Sequence, residues 1–290
     1  MSVALKDDPA ARGRATSTSD GGRWPALFVH RVGGGEPLLL IHGLGESHVG
    51  WRPVIDRLAA SYDVLAVDLP GFGQSPPLPP GRWPSGANLA DAIRATLDRL
   101  DVGRYHVAGY SLGGRLAMQL AATDDRVRSV IALSPDGMGT PLERVQEYYV
   151  LSTAWRVASA LAPTADWLSC TPSGRSLFFA GSRSRPWQLT PQDARDLLTG
   201  FAGADAFDDT NWARAVDVPT YLDDIRQPIL FLQGTGDVTT PKVLRYLPFL
   251  PHAQLQWING GNHVVVSDDP ETTARLMLAF LHGVDAQARG

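Results

Sequence analysis

The sequence predicts an α/β fold: a mostly parallel central sheet with helices on both faces, plus one inserted block of helices. Three observations predict it. Short continuous apolar runs recur along the chain, each followed by a stretch of helical periodicity, which is the pattern of a sheet buried on both faces. That rhythm stops between Met138 and Pro219, where helical patterns follow one another without a buried strand. It resumes after Pro228 and ends in a C-terminal helix.

The first long apolar run is Pro37-Leu38-Leu39-Leu40-Ile41, closed by His42-Gly43. Its length and lack of alternation suit a strand covered on both sides. Trp51, Val54, Ile55, Leu58 and Ala59 then share one helical face. Tyr62 to Val67 reads as the next strand and ends in Asp68-Leu69-Pro70-Gly71. After a proline-rich loop, Leu89, Ile93, Leu97 and Leu100 recur at helical spacing. Tyr105 to Gly109 is a third strand, followed by a helix with Leu112, Leu116 and Leu120 on one face, and Val127 to Leu133 is a fourth. In the inserted block, Leu142, Val145 and Tyr149 mark one helix. Thr190-Pro191 starts another, with a hydroxyl N-cap and proline at the first helical position. Ile229 to Leu232 and Gln254 to Ile258 complete the strands, and Leu276, Met277, Phe280 and Leu281 line the last helix. The expected organisation is a disordered leader over residues 1–22, a core over 23–137 and 220–290, and the helical block over 138–219.

Bulk properties narrow the function classes. Apolar residues make up 44% of 290 and charged residues 19%, with a net charge of −4, so a large core is available and no basic excess points to nucleic acid. No apolar run is long enough for a membrane span, and the leader lacks the apolar stretch of a signal peptide. A cytoplasmic protein with a small-molecule substrate is the expectation; oligomeric state is not readable. Cys170 is the sole cysteine and is expected as a small core or loop residue.

The chemistry centres on Gly109-Tyr110-Ser111-Leu112-Gly113. A serine hydroxyl becomes a nucleophile when a sharp turn exposes it beside a base, and the small flanking residues permit such a turn. Its placement between an apolar strand and an amphipathic helix gives the motif its weight. His263, in Gly260-Gly261-Asn262-His263 after the last strand, is the expected base, because loops at strand C-termini hold the site in an open parallel sheet. Asp237, just past the penultimate strand, is the expected orienting carboxylate, and the order Ser111, Asp237, His263 suits the fold. Asp136, after the fourth strand, is its rival. His42-Gly43-Leu44-Gly45 follows the first long strand. The backbone N–H groups of Leu44 and Leu112 are the expected oxyanion donors. No metal or organic cofactor is implied.

On these residues the sequence resembles the capped α/β-hydrolase superfamily from about Leu27 to the C-terminus. The resemblance rests on His42 to Gly45, Asp68-Leu69-Pro70-Gly71-Phe72-Gly73-Gln74-Ser75, the Ser111 turn, Asp237 and His263, all in the family's order. It implies that the Asp68–Ser75 loop shapes the site without reacting. It also implies that the inserted block is a helical cap, whose Trp155 and Trp187, with His42, Gly43, Tyr110 and Asp136, are candidate substrate contacts. Asn262 stands where glycine is common, and a serine nucleophile separates the chain from the haloalkane dehalogenases and soluble epoxide hydrolases. The expected activity is hydrolysis of a carboxylic ester of a hydrophobic or aromatic small molecule through an acyl-enzyme. The alternatives are carbon–carbon hydrolysis of a β-diketone-like substrate, a biosynthetic acyl-transfer or cyclisation protein, and a non-enzymatic ligand-binding protein.

Overall fold

The structure is a computed structural model that describes residues 24–239 and 242–289; the leader expected over 1–22 lies outside them. Seven strands form one sheet: β1 (Val29–Gly33), β2 (Glu36–Ile41), β3 (Tyr62–Val67), β4 (Tyr105–Tyr110), β5 (Val127–Leu133), β6 (Ile229–Gly234) and β7 (Gln254–Ile258). Their order across the sheet is β1-β3-β2-β4-β5-β6-β7. Every neighbouring pair is parallel except β1 with β3, so the sheet is mostly parallel, with an antiparallel edge strand.

Alternation of side chains along each strand divides the apolar runs between the two faces. Leu39, Ile41, Val107 and Phe231 meet one cluster with Leu89, Ile93, Leu116 and Leu120, which come from two core helices. Leu38, Leu40, Ala108 and Leu230 meet the other with Val54, Leu58, Met277 and Leu281. The helices of the core are α1 (Arg52–Ala59), α2 (Gly86–Arg99) and α3 (Leu112–Thr123). Each fully buried Leu or Ile contributes roughly 1.5–3 kcal/mol of transfer free energy.

Five helices fall between β5 and β6: α4 (Pro141–Leu161), α5 (Ala165–Cys170), α6 (Pro172–Phe179), α7 (Pro191–Ala202) and α8 (Phe207–Val216). α4 opens on a capping box in which Thr140 and Glu143 satisfy each other's backbone N–H groups. Thr190 caps α7 with Pro191 at its first position. The face of α4 turned to α8 is small and polar: Ser152 donates to Asp208, and Asn211 donates to Tyr148 O and Ser152 Oγ. Leu142, Val145 and Tyr149, which suggested the helix from sequence, lie on its solvent side. Cys170 is exposed at the end of α5. The chain closes with α9 (Val265–Asp268) and α10 (Pro270–Arg289).

The N-terminal ends of the strands carry a closed polar cluster. His106 shares hydrogen bonds with Ser129 Oγ at 2.7 Å and Asp285 Oδ1 at 3.1 Å. Tyr62 donates to Asp285 at 2.9 Å, and Arg128 pairs with Asp285 and Glu36. Ser129 and His106 are fully buried, and this network ties α10 to the floor of the sheet.

Candidate active site

Ser111 sits between β4 and α3 with φ 55° and ψ −122°, a conformation that L side chains adopt only under constraint. The constraints are visible. Its N–H donates to Leu133 O at 2.9 Å, and its carbonyl accepts from Asp136 N and Arg115 N. A side chain at Gly109 would run into the Gly113 backbone, and one at Gly113 into the carbonyls of Ile41 and His42. The glycines of the motif are therefore packing requirements of a sharp strand-to-helix turn. Ser111 stays half-buried at its tip.

The loop after β2 passes close to this tip. A Cβ on Gly43 would lie 3.0 Å from the Tyr110 ring and 3.2 Å from Ser111 Cβ. His42 holds the loop: its Nε2 accepts from Leu69 N at 2.9 Å, so its Nδ1–H donates to Gly43 O at 2.7 Å. Burial lowers its pKa, which keeps the ring neutral for both bonds. His42 is thus a backbone brace. Leu44 follows on this loop, and Leu112 is the first residue of α3, where a helix leaves its N–H groups without intrahelical acceptors.

Past β6, the Asp237 carboxylate is shielded from solvent and held by hydrogen bonds. Gln233 Nε2 donates to Oδ2 at 2.7 Å, Thr239 N donates to Oδ1 at 2.8 Å, and His263 Nδ1 donates to Oδ2 at 3.1 Å. That bond fixes the His263 tautomer and makes Nε2 its basic nitrogen. Asn262, read from sequence as a departure, braces the same loop: its Oδ1 accepts from His263 N at 2.9 Å. Sequence reasoning missed Gln233, although an amide ending the apolar run of β6 was a usable signal.

The rival carboxylate lies elsewhere. Asp136 is buried against Arg214, with both oxygens 3.0 Å from Nη1. The desolvation that would raise its pKa is outweighed by Arg214 and Arg115, which hold it below the usual carboxylate range. Arg214 also meets Glu147, which pairs with Lys242. The structure brings His263 to Asp237 and Asp136 to Arg214.

Three other expected substrate contacts are placed as follows. Tyr110 is buried in the core, its ring tilted against that of Trp51, and donates to Glu46 at 2.6 Å. Trp155 stacks on Phe207 with ring centroids 5.4 Å apart, and Phe207 meets Phe201. Phe201 and Phe207 pack over Gly45, so this aromatic group borders the loop after β2. Trp187 is half-exposed, and its carbonyl accepts from Arg175. The Asp68–Ser75 loop is bonded to itself and to the segment after β2: Asp68 accepts from Gln74 N and from His48 N, and its carbonyl accepts from Ser75 Oγ.

Comparison with known proteins agrees with this fold. Residues 36–270 match the family described as the alpha/beta hydrolase fold. The 2-hydroxy-6-oxononadienedioate/2-hydroxy-6-oxononatrienedioate hydrolase of Cupriavidus pinatubonensis is 32% identical over 94% of this chain and 96% of its own length. A 113-residue stretch is 40% identical to the dihydrolipoyllysine-residue acetyltransferase component of an acetoin cleaving system from Cupriavidus necator, spanning 39% of this chain and 30% of that protein. Among solved structures, a thermophilic esterase from Thermogutta terrifontis superposes with a TM-score of 0.70 at 20% identity, covering 89% of this chain and 93% of that one.

Proposed function

The chain belongs to the α/β-hydrolase family, and within it we propose a serine hydrolase that cleaves carboxylic esters of hydrophobic or aromatic small molecules. The observation that carries the reading is the Ser111 turn, a serine at φ 55° held by backbone bonds and crowded glycines. Strained backbone of this kind clusters at active sites, where the surrounding structure holds it in place.

The groups at hand supply each step of acyl transfer. Ser111 Oγ attacks the ester carbonyl as His263 Nε2 takes its proton. Asp237, with its other lone pairs occupied by Gln233 and Thr239, holds the imidazolium that forms. The N–H groups of Leu44 and Leu112 bind the oxyanion. His263 then protonates the departing alcohol, and water attacks the acyl-enzyme by the same route. Helices α4–α8 act as a cap, and the Trp155, Phe201 and Phe207 rings beside Gly45 give the acyl pocket its apolar character.

The ester reading asks for nothing beyond nucleophile, base and oxyanion donors. Carbon–carbon cleavage, the activity named for the full-length relative, requires in addition a proton delivered to a carbon leaving group. A panel of p-nitrophenyl esters beside a vinylogous diketone separates them, with fluorophosphonate labelling of Ser111 and the Ser111→Ala variant as controls. Ester turnover lost in Ser111→Ala supports the proposal. Fast diketone cleavage with negligible ester turnover overturns the ester assignment, and absence of labelling overturns the nucleophile.

A further inference from the structure

Between α6 and α7, the five residues Ala180 to Ser184 contact the histidine loop, the Asp237 loop and the loop after β2. Val264 N, next to His263, donates to Ser182 O at 2.9 Å. Asn262 Nδ2, on its other side, donates to Ala180 O at 3.4 Å. Thr239, two residues past Asp237, donates through Oγ1 to Gly181 O at 3.3 Å. Asp268 accepts from both Ser184 N at 2.7 Å and Asn262 N at 2.6 Å, joining the segment to the histidine loop from below.

The charged member of the segment reaches the loop after β2 directly, and the Ser111 turn through Glu46. Arg183 Nη2 donates to Glu46 Oε1 at 2.8 Å, and Tyr110 OH donates to Glu46 Oε2 at 2.6 Å. Glu46 lies two residues past Leu44, and Tyr110 directly precedes Ser111. The Arg183 side chain is 2% exposed and that of Glu46 14%. Arg183 also lies over the Phe179 ring. A buried ion pair brings little net stability over an apolar pair of the same size. What it does supply is a fixed register, because either charge alone is strongly disfavoured there.

We propose that the Ala180–Ser184 segment is a positioning element for the site, with Arg183 as its positioning residue. It sets the oxyanion loop, through Glu46, against the histidine loop, through Ser182 and Ala180. The inserted helices then do more than cover the pocket: this end of them is part of the frame that aligns base and oxyanion donors. The inference rests on the serine-hydrolase reading above for its catalytic consequence.

The test compares Arg183→Met, Arg183→Lys and Glu46→Gln, with Arg128→Met at the far end of the sheet as a control for lost burial and charge. Three readouts are taken on folded protein: kcat and KM on a p-nitrophenyl ester, the rate of Ser111 labelling by a fluorophosphonate, and the low-field NMR resonance of His263 Nδ1–H. A misplacement approaching 1 Å costs on the order of 10²-fold in turnover. Arg183→Met is therefore expected to lose roughly ten- to a hundredfold in kcat, with KM held within about twofold. Its labelling slows and its His263 resonance shifts. Arg183→Lys recovers part of the loss, Glu46→Gln loses in the same direction, and Arg128→Met lowers the melting temperature at unchanged kcat. Wild-type kcat in folded Arg183→Met, or a loss in KM alone, overturns the proposal. If the wild-type protein neither labels nor turns over esters, the serine-hydrolase reading fails. The positioning proposal is then decided by the His263 resonance, which needs no turnover: unmoved in Arg183→Met, it refutes the proposal.

Discussion

Gly43→Ala isolates the approach of the oxyanion loop to the nucleophile. The added methyl would lie 3.0 and 3.1 Å from two Tyr110 ring carbons and 3.2 Å from Ser111 Cβ, whereas carbon pairs settle at about 3.5–4.0 Å. Relief requires a separation of about 0.5 Å. Tyr110 cannot give way, since its ring is packed in the core and its hydroxyl is tied to Glu46. The displacement therefore falls on the loop that carries the Leu44 N–H. Losing an oxyanion donor outright costs on the order of 10²–10³ in kcat, so a half-ångström shift is expected to cost roughly tenfold. Overpacking by one methyl costs about 1–3 kcal/mol of stability. The assay is steady-state turnover of a p-nitrophenyl ester with a parallel thermal melt. A variant that keeps wild-type kcat would show that the loop does not serve the transition state, and the oxyanion assignment to Leu44 would have to be withdrawn.

Three further outcomes are expected. Ser111→Gly should be more stable than Ser111→Ala by about 1 kcal/mol, because glycine relieves the strain at φ 55° that alanine retains; equal unfolding midpoints in urea would refute stored strain at the turn. Asp237→Asn should lower kcat by roughly 10³–10⁴-fold with little change in KM, since an amide between the Gln233 and Thr239 donors no longer fixes the imidazole tautomer; a mild loss would return attention to Asp136. Stability should fall as pH drops below about 6.5, the ordinary histidine value. Burial holds His42 and His106 below that value in the folded state, so the unfolded chain takes up the extra protons and is favoured as pH falls. Two such groups give a slope of at most about 3 kcal/mol per pH unit. His106→Gln should remove part of it, and a melting temperature flat from pH 8 to pH 5 would contradict the account.

Much of the core was legible because its chemistry is local. Continuous apolar runs marked β2 to β6, the order of Ser111, Asp237 and His263 followed the strand ends, and the turn glycines announced a sharp bend. What escaped depended on distant partners. The antiparallel edge of β1 follows from pairing with β3, which no local pattern encodes. Asp136 and Asp237 look alike as carboxylates past strands; only the fold places Arg214 beside one and His263 beside the other. The apolar stripe of α4 was read correctly as helical, but the sequence could not say which side faces inward. Asn211 and Asp208, some sixty residues on, settle that by bonding its polar face. Nothing local to Arg183 announces its partner Glu46, 137 positions earlier.

Ser129, His106 and Asp285 repeat, at the floor of the sheet, the three residue types proposed above for catalysis at Ser111, His263 and Asp237. β4 runs between them, with His106 near its start and Ser111 just past its end. At the floor the serine is sealed and relaxed, and the trio works as a bolt between α10 and the strands. At the other end Ser111 is strained and half-buried, and in the function proposed above it is the reagent. A geometric search for Ser–His–Asp constellations that ignores solvent access would select both and could rank the inert one first. The separation also helps an engineer: thermal tolerance can be raised by repacking the sealed end of β4 while the reactive end, some five residues along the same strand, is left alone.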